Sequence, residues 1–392
     1  MAVTLSQRLQ HIHTSPTALL TKEVKALIAA GEDIIALAAG EPDFATPEHI
    51  QTAAIEAMRN GQTGYTPVAG TPELLAAIAA KYRRDFSLHY DNEQIIATCG
   101  GKQAIYSAFL AILSAGDQVL IPAPYWVSYP DMARCADAIP VIVECDEGEH
   151  FKLSATKLRQ HLNQQTKLLI LNSPNNPSGQ VYSRQELAEL AAVIRQWPEL
   201  WILCDDIYEP FCWHPDGFHT LLEIAPDLAD RTLIVNGVSK AYAMTGWRLG
   251  YALGPASLIK ALGTLQSQST SCACSISQAA AVAALQGPQD CITLFCQSYQ
   301  TRHAWLLEQL NNLPGVSCLP SQGAFYLFAN VREAMDQHQL TTDVAFCQWL
   351  LQQAKVAVVP GSAFGLTGYV RFSFAAAQSD LEKAIERLQK IL

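Results

Sequence analysis

Lys240 and Arg248 stand eight residues apart in NGVSKAYAMTGWRLGYALG, residues 236–254, where every other side chain is apolar, small or neutral. A buried cation without a counter-charge is costly, so each calls for a partner. The segment itself holds none. Ser239, Ala241 and Ala243 leave the Lys240 amine open to approach, which is the access an imine-forming lysine nucleophile needs. Arg248 falls in a stretch that reads as a buried strand, and a phosphate would take two hydrogen bonds from its guanidinium. The plain alternative, a Lys/Arg pair on a solvated edge, is opposed by the apolar surroundings.

Three further features fall at the ends of predicted strands, where open α/β sheets bind ligands. In TCGGKQAIYSAF a strand runs through Gly100 and Gly101 into a helix, which suits an anion cradle of backbone N–H groups; by itself it is also an ordinary turn. NSPNNPSG, residues 172–179, is a shaped turn in which either central asparagine, Asn175 or Asn176, can donate a hydrogen bond. LCDDIYEPF closes an apolar strand with Asp205 and Asp206 and sets Tyr208 just beyond; the acid is either a helix cap or the holder of a proton on a heterocycle. An anion cradle, an acid, a phenol and a lysine together match the phosphate, pyridine nitrogen, phenolate oxygen and aldehyde of pyridoxal phosphate.

The elements that must position these groups follow from hydrophobic patterning. Near-continuous apolar runs at 94–100, 118–124, 139–145, 167–174, 200–206, 232–238 and 247–254 read as strands covered on both faces. Helical patterns lie between many of them, and Ser183 with Glu186 has capping-box spacing. The expected fold is α/β: a large, doubly wound, mostly parallel sheet domain over 46–290 and a smaller α+β domain from 1–45 plus 291–392. A length of 392 residues accommodates both.

A net charge of -10 opposes nucleic acid or an anionic membrane as partner. Eleven scattered cysteines without C-x-x-C spacing point to reduced thiols in the cytoplasm and to no metal centre. The N-terminus lacks an apolar signal core. The uncharged run 261–289 is too rich in Ser, Thr and Gln for lipid and reads as protein interior or a subunit interface.

The order and spacing of GEPDF, YTPVAGTPEL, GGKQA, PYWVSYP, NSPNNPSG, DxxY, SKAYAMTGWRLGY and GYVRFSFA resembles the class I aminotransferases of pyridoxal phosphate fold type I over nearly the whole chain. It is most similar to the bacterial aspartate aminotransferase branch that includes prephenate-active members. The resemblance implies that Lys240 binds the cofactor's aldehyde and shuttles a proton. Asp205 pairs with the ring nitrogen, Tyr208 and Asn176 hold the phenolate oxygen, and Trp126 lies against the ring. Gly100, Gly101, Lys102, Ser239 and Arg248 surround the phosphate. Tyr65 reaches the phosphate of a neighbouring subunit, which implies a homodimer with shared sites.

Arg371 interrupts the apolar strand GYVRFSFA and resembles the arginine that binds a substrate α-carboxylate, with Gly40, Asn176 and Trp126 also at the substrate. The distal carboxylate falls, by the same resemblance, to Lys102 with Ser15 and Thr17, because the 261–289 stretch carries no arginine or lysine. The implied reaction is a ping-pong transamination between L-aspartate and 2-oxoglutarate through pyridoxamine phosphate. The alternatives are prephenate, aromatic or neutral substrates, a pyridoxal phosphate lyase, or a non-catalytic binding module. One departure is Gly237, three residues before the lysine, where many relatives carry a phosphate-binding serine.

Overall fold

The apolar runs assemble into one large sheet. The computed structural model describes residues 6–14 and 16–392. Its strands in chain order begin with β1 (Ile35–Ala36), β2 (Ile95–Thr98), β3 (Gln118–Ala123), β4 (Ile139–Glu144) and β5 (Thr166–Asn172). They continue with β6 (Trp201–Asp205), β7 (Thr232–Gly237), β8 (Gly250–Leu253) and β9 (Ser317–Cys318). The last four are β10 (Tyr326–Asn330), β11 (Val356–Ala357), β12 (Val359–Pro360) and β13 (Tyr369–Ser373).

The large sheet has the order β2-β8-β7-β6-β5-β3-β4. Only β8 runs antiparallel to its neighbours. Its central strands are apolar at successive positions because each face has its own core. Leu169, Leu171, Ile202, Cys204 and Ile234 join one cluster, while Leu168, Ile170, Leu203, Leu233 and Val235 join the other. That is the period-two alternation of a strand buried on both faces. The capping box at Ser183 forms as predicted. Ser183 Oγ accepts from Glu186 N at 3.2 Å, and Glu186 Oε2 accepts from Ser183 N at 2.8 Å, starting the helix Arg184–Ile194.

A second, antiparallel sheet has the order β12-β13-β10-β9 and packs with the helices Asp290–Asn311, Asp343–Gln353 and Gln378–Leu388. The segment DIIALAAG joins this part of the molecule: β1 pairs in parallel with β11, and Ser373 N donates to Leu37 O at 2.8 Å.

One expectation is corrected by these elements. Arg248 is not inside a buried strand. It ends a 3-10 turn, Thr245–Trp247, with a left-handed φ of 54° and an exposed side chain. That φ cannot continue a strand, so β8 starts at Gly250, where a Cβ would stand 2.2 Å from Gly101 N. The uncharged run, read as protein interior or a subunit interface, is buried in part. It forms the helices Ala256–Ser267 and Ser275–Gln286, and residues 267–271 between them are exposed in the single chain. Its buried glutamines bond mainly to backbone, although Gln266 Oε1 has no partner among the described residues. Gln266 Nε2 donates to Val68 O and Ala97 O, and Gln278 Nε2 donates to Ala273 O while its Oε1 accepts from Thr71 N. Among the described residues, no helix is long and apolar enough to cross a membrane.

Candidate functional site

The carboxyl ends of β5, β6 and β7 open onto a cleft of about 590 Å³, faced from the second sheet by Arg371 of β13. Its lining includes Thr17, Gly40, Gly101, Lys102, Trp126 and Asn176, together with Asp205, Tyr208, Ser239, Lys240, Arg248 and Arg371. Residues distant in sequence meet because the crossover connections return β5, β6 and β7 in the same direction, with their carboxyl ends at the same edge.

At one end lies an anion cradle. Gly100, φ 87°, precedes the helix Gly101–Ile112, and a Cβ there would stand 2.5 Å from Arg248 Nη2. The guanidinium therefore approaches the helix N-terminus because position 100 has no side chain. Among the described residues, Arg248 donates to carbonyls alone, to Thr245 O at 3.0 Å and Cys99 O at 3.4 Å. Ser239 is buried in the wall of the same cleft. Gly237 has a steric explanation: a Cβ would lie 2.9 Å from Gly250 Cα and 3.0 Å from Leu249 O, so β8 crowds out a serine at that position.

Asp205 ends β6 and is 5 % exposed. Its Oδ2 accepts from the Tyr129 hydroxyl at 2.5 Å and its Oδ1 from Ile207 N at 3.4 Å. Burial pushes its carboxyl up to about 6, against the opposing pull of these two bonds and of Lys240. Among the described residues it has no ion-pair partner, so it is an anion suited to a cationic ligand atom. This cost has a pH signature. A raised folded pKa favours the folded protein below about pH 4 and penalises it fully above about pH 6. Cofactor-free Asp205→Asn keeps the acceptor for Tyr129 and should be the more stable protein at pH 7 by on the order of 3 kcal/mol. The difference should vanish near pH 4 in urea unfolding; a pH-independent difference would refute the electrostatic account.

Lys240 follows β7, and its Nζ donates to the carbonyl of Gly40. The ammonium also faces the Tyr208 and Phe325 rings at 5.7 and 5.9 Å. Burial lowers its pKa to about 8; Glu41 opposes the shift, and Arg371 and Arg248 add to it. Tyr208 is buried, with its hydroxyl 2.7 Å from that of Tyr326.

Arg371 is 3 % exposed. Its Nη1 donates to Asn176 Oδ1 and its Nη2 to Ala38 O, both at 2.8 Å, while Nε has no partner. Its guanidinium lies 4.3 Å from the Tyr326 ring centroid and 5.0 Å from that of Phe364. No carboxylate among the described residues is paired with it. A buried guanidinium with an orphaned donor and no anion is prepared for a carboxylate ligand.

Lys102 lies open to the cleft, its Nζ 4.8 Å from the centre of the Trp126 ring, and burial followed by Arg248 lowers its pKa. Thr17 lines the same cleft from the helix Pro16–Ala29. Ser15 lies outside the described residues. Tyr65 is 93 % exposed and lines no part of the cleft in the single chain.

The residues fit pyridoxal phosphate. An unpaired acid, an anion cradle, a phenol and a lysine with a depressed pKa share one cavity, as the cofactor's four polar ends require. Sequence reasoning missed Tyr129 and Tyr326. They stand in PYWVSYP and GAFYLFAN, but an aromatic in a strand or helix reads as core until its hydroxyl is seen to have a partner.

The family described as aminotransferase class I and II matches residues 32–388. The chain is 47% identical over 394 residues to the aspartate/prephenate aminotransferase of Nitrosomonas europaea, covering 99% of each protein. It superposes on the crystal structure of the aspartate aminotransferase from Rhizobium meliloti with a TM-score of 0.94 at 42% identity, covering 99% of this chain and 98% of that one. The aspartate aminotransferase of Thermus thermophilus with maleate also gives a TM-score of 0.94, at 39% identity over the full length of both chains. This chain belongs to the class I and II aminotransferases and is a pyridoxal phosphate-dependent enzyme of fold type I.

Proposed function

We propose that the protein transfers the amino group of L-aspartate to 2-oxoglutarate by a ping-pong mechanism. The observation that carries this reading is that, besides Lys240 and Arg248 at the cofactor positions, the cleft holds two further cations, Arg371 and Lys102, neither of which is paired with a carboxylate among the described residues. Both proposed substrates carry two carboxylates, one for each cation. The names of the relatives, aspartate and aspartate/prephenate aminotransferase, support the same choice.

When bound, pyridoxal phosphate supplies a carbonyl for the amino group and an electron sink for the charge left at Cα. The chain supplies binding and proton transfer. Arg371 takes the α-carboxylate with two donors, and Asn176 and the Ala38 carbonyl hold its plane. With a pKa of about 8, Lys240 is partly neutral near neutrality and can accept the Cα proton and return it. Asp205 would hold a proton at the ring nitrogen, and Tyr208 and Asn176 would bind the phenolic oxygen. Trp126 fixes the plane of the ring. Backbone N–H groups of Gly101 and Lys102, with Ser239 and Arg248, bind the phosphate.

The full exposure of Tyr65 fits its use by a second copy of the chain, in a homodimer with shared sites. The exposed 267–271 segment fits the interface alternative for the uncharged run. The division into a 46–290 domain and a smaller one from 1–45 and 291–392 accords with the two sheets. Eleven free cysteines accord with the cytoplasm.

The test is kcat/KM for aspartate and for phenylalanine, with 2-oxoglutarate as acceptor, in wild type and Lys102→Ala. Loss of a charge partner predicts a fall of about 10–100-fold for aspartate, with phenylalanine changed by less than about 3-fold. Equal losses would refute Lys102 as the distal-carboxylate residue. Prephenate or an aromatic amino acid is the second reading. It is favoured by the Trp126 face on which Lys102 rests, an apolar surface exposed if the lysine swings away.

A further inference from the structure

Tyr326 and Arg371 lie on adjacent strands of the small sheet, whereas Tyr208 follows β6 of the large one. In the register of β10 and β13, Arg371 stands opposite Phe328, and Tyr326 is two residues away on the same face of β10. This diagonal places the guanidinium over the Tyr326 ring at 4.3 Å. The Tyr326 hydroxyl lies 2.7 Å from that of Tyr208, and a Cβ at Gly40 would be 3.3 Å from it, so its surroundings are closed. Each phenol has one hydrogen. If Tyr208 donates to Tyr326, it has none left for the cleft; if Tyr326 donates, the Tyr208 hydrogen is free to face the cleft.

The better acid of two phenols is the better donor. A guanidinium over the ring makes Tyr326 the more acidic: burial raises both pKa values, and Arg371 opposes the rise at Tyr326, which is the smaller of the two. We propose that Tyr326 is a positioning residue that donates to Tyr208, aims the Tyr208 proton at the cofactor's phenolic oxygen, and transmits the charge state of Arg371 to that oxygen. A carboxylate bound at Arg371 neutralises the cation over Tyr326, weakens it as a donor, and so weakens Tyr208 as a donor to the oxygen. The two tyrosines thereby carry one share of the effect of a bound carboxylate on the cofactor's basicity, beside the direct contact of Arg371 with Asn176. This inference rests on the reading of Tyr208 as the partner of the phenolic oxygen.

The test is a pH titration of the bound cofactor's visible absorbance, with and without maleate as a non-reactive dicarboxylate, in wild type, Tyr326→Phe and Tyr208→Phe. A donor to the ionised oxygen lowers the pKa of the absorbance change, so Tyr208→Phe should raise it by about tenfold in proton affinity. Tyr326→Phe should raise it by roughly threefold and should shrink the further rise caused by maleate. Site-specific 3,5-difluorotyrosine at position 326 keeps the shape and strengthens the donor, and should move the pKa the opposite way. It also serves as the readout should Tyr326→Phe fail to fold. A wild-type pKa or a wild-type maleate increment in Tyr326→Phe, with Tyr208→Phe shifted, would overturn the relay. No shift in Tyr208→Phe would instead overturn the reading of Tyr208 itself.

Discussion

Lys240→Ala should lower kcat for transamination by about 10⁴-fold or more, because one amine is asked both to hold the cofactor and to carry the proton. The two duties separate experimentally. The variant keeps the cradle at Gly101 and Arg248, so it should still bind the cofactor noncovalently. Borohydride should fix cofactor to the wild-type protein and fail to fix it to the variant. A small primary amine added in solution should restore part of the proton transfer but not the retention of cofactor after reduction. The effect should be large because Lys240 is poised for proton transfer. Burial beside Arg371 and Arg248 has lowered its pKa to about 8, where both protonation states are populated near neutrality. Multiple turnovers at the wild-type rate would exclude Lys240 from the chemistry.

Arg371→Ala should have the second-largest effect. Removing one partner of a buried charge pair costs about 2–5 kcal/mol, so kcat/KM should fall by roughly 30- to 5000-fold for every amino acid, whatever its side chain. That independence of the side chain distinguishes it from Lys102→Ala. Arg371→Lys should recover little, since a point charge cannot reproduce the planar donors that reach Asn176 and Ala38 while leaving Nε for a ligand. The loss should fall mainly on KM if the carboxylate contact is equal in ground and transition states, and on kcat if it tightens during reaction. Retention of kcat/KM within about 3-fold would remove Arg371 from substrate binding.

Much of the site was legible because its residues violate the apolar pattern around them. Lys240, Asp205 and Arg371 are ionisable groups at the ends or middles of strands that are otherwise interior, and such groups need partners. The spacing of apolar runs located the strands to within a few residues, since a strand covered on both faces has no polar positions to interrupt it. Arg248 was misplaced by the same logic. A cation flanked by Trp247 and Leu249 reads as strand, but its positive φ belongs to a turn, and side-chain type does not reveal φ.

Some relations could not be read from the chain alone. Tyr129 and Tyr326 look like core aromatics, and only the packing of the helix Tyr129–Cys135 and of β10 near the end of β6 shows that their hydroxyls meet Asp205 and Tyr208. Gly237 looked like a missing phosphate ligand until the packing of β8 gave it a steric reason. By itself the sequence determined the types of the reactive groups, the strands that carry them and the α/β class, because these depend on local patterning and on the cost of burying charge. The tertiary structure decided which cation lacks an anion, which phenol faces which, and how far burial moves Lys240 and Asp205. Those depend on distances between segments far apart in the chain, which local patterning does not encode.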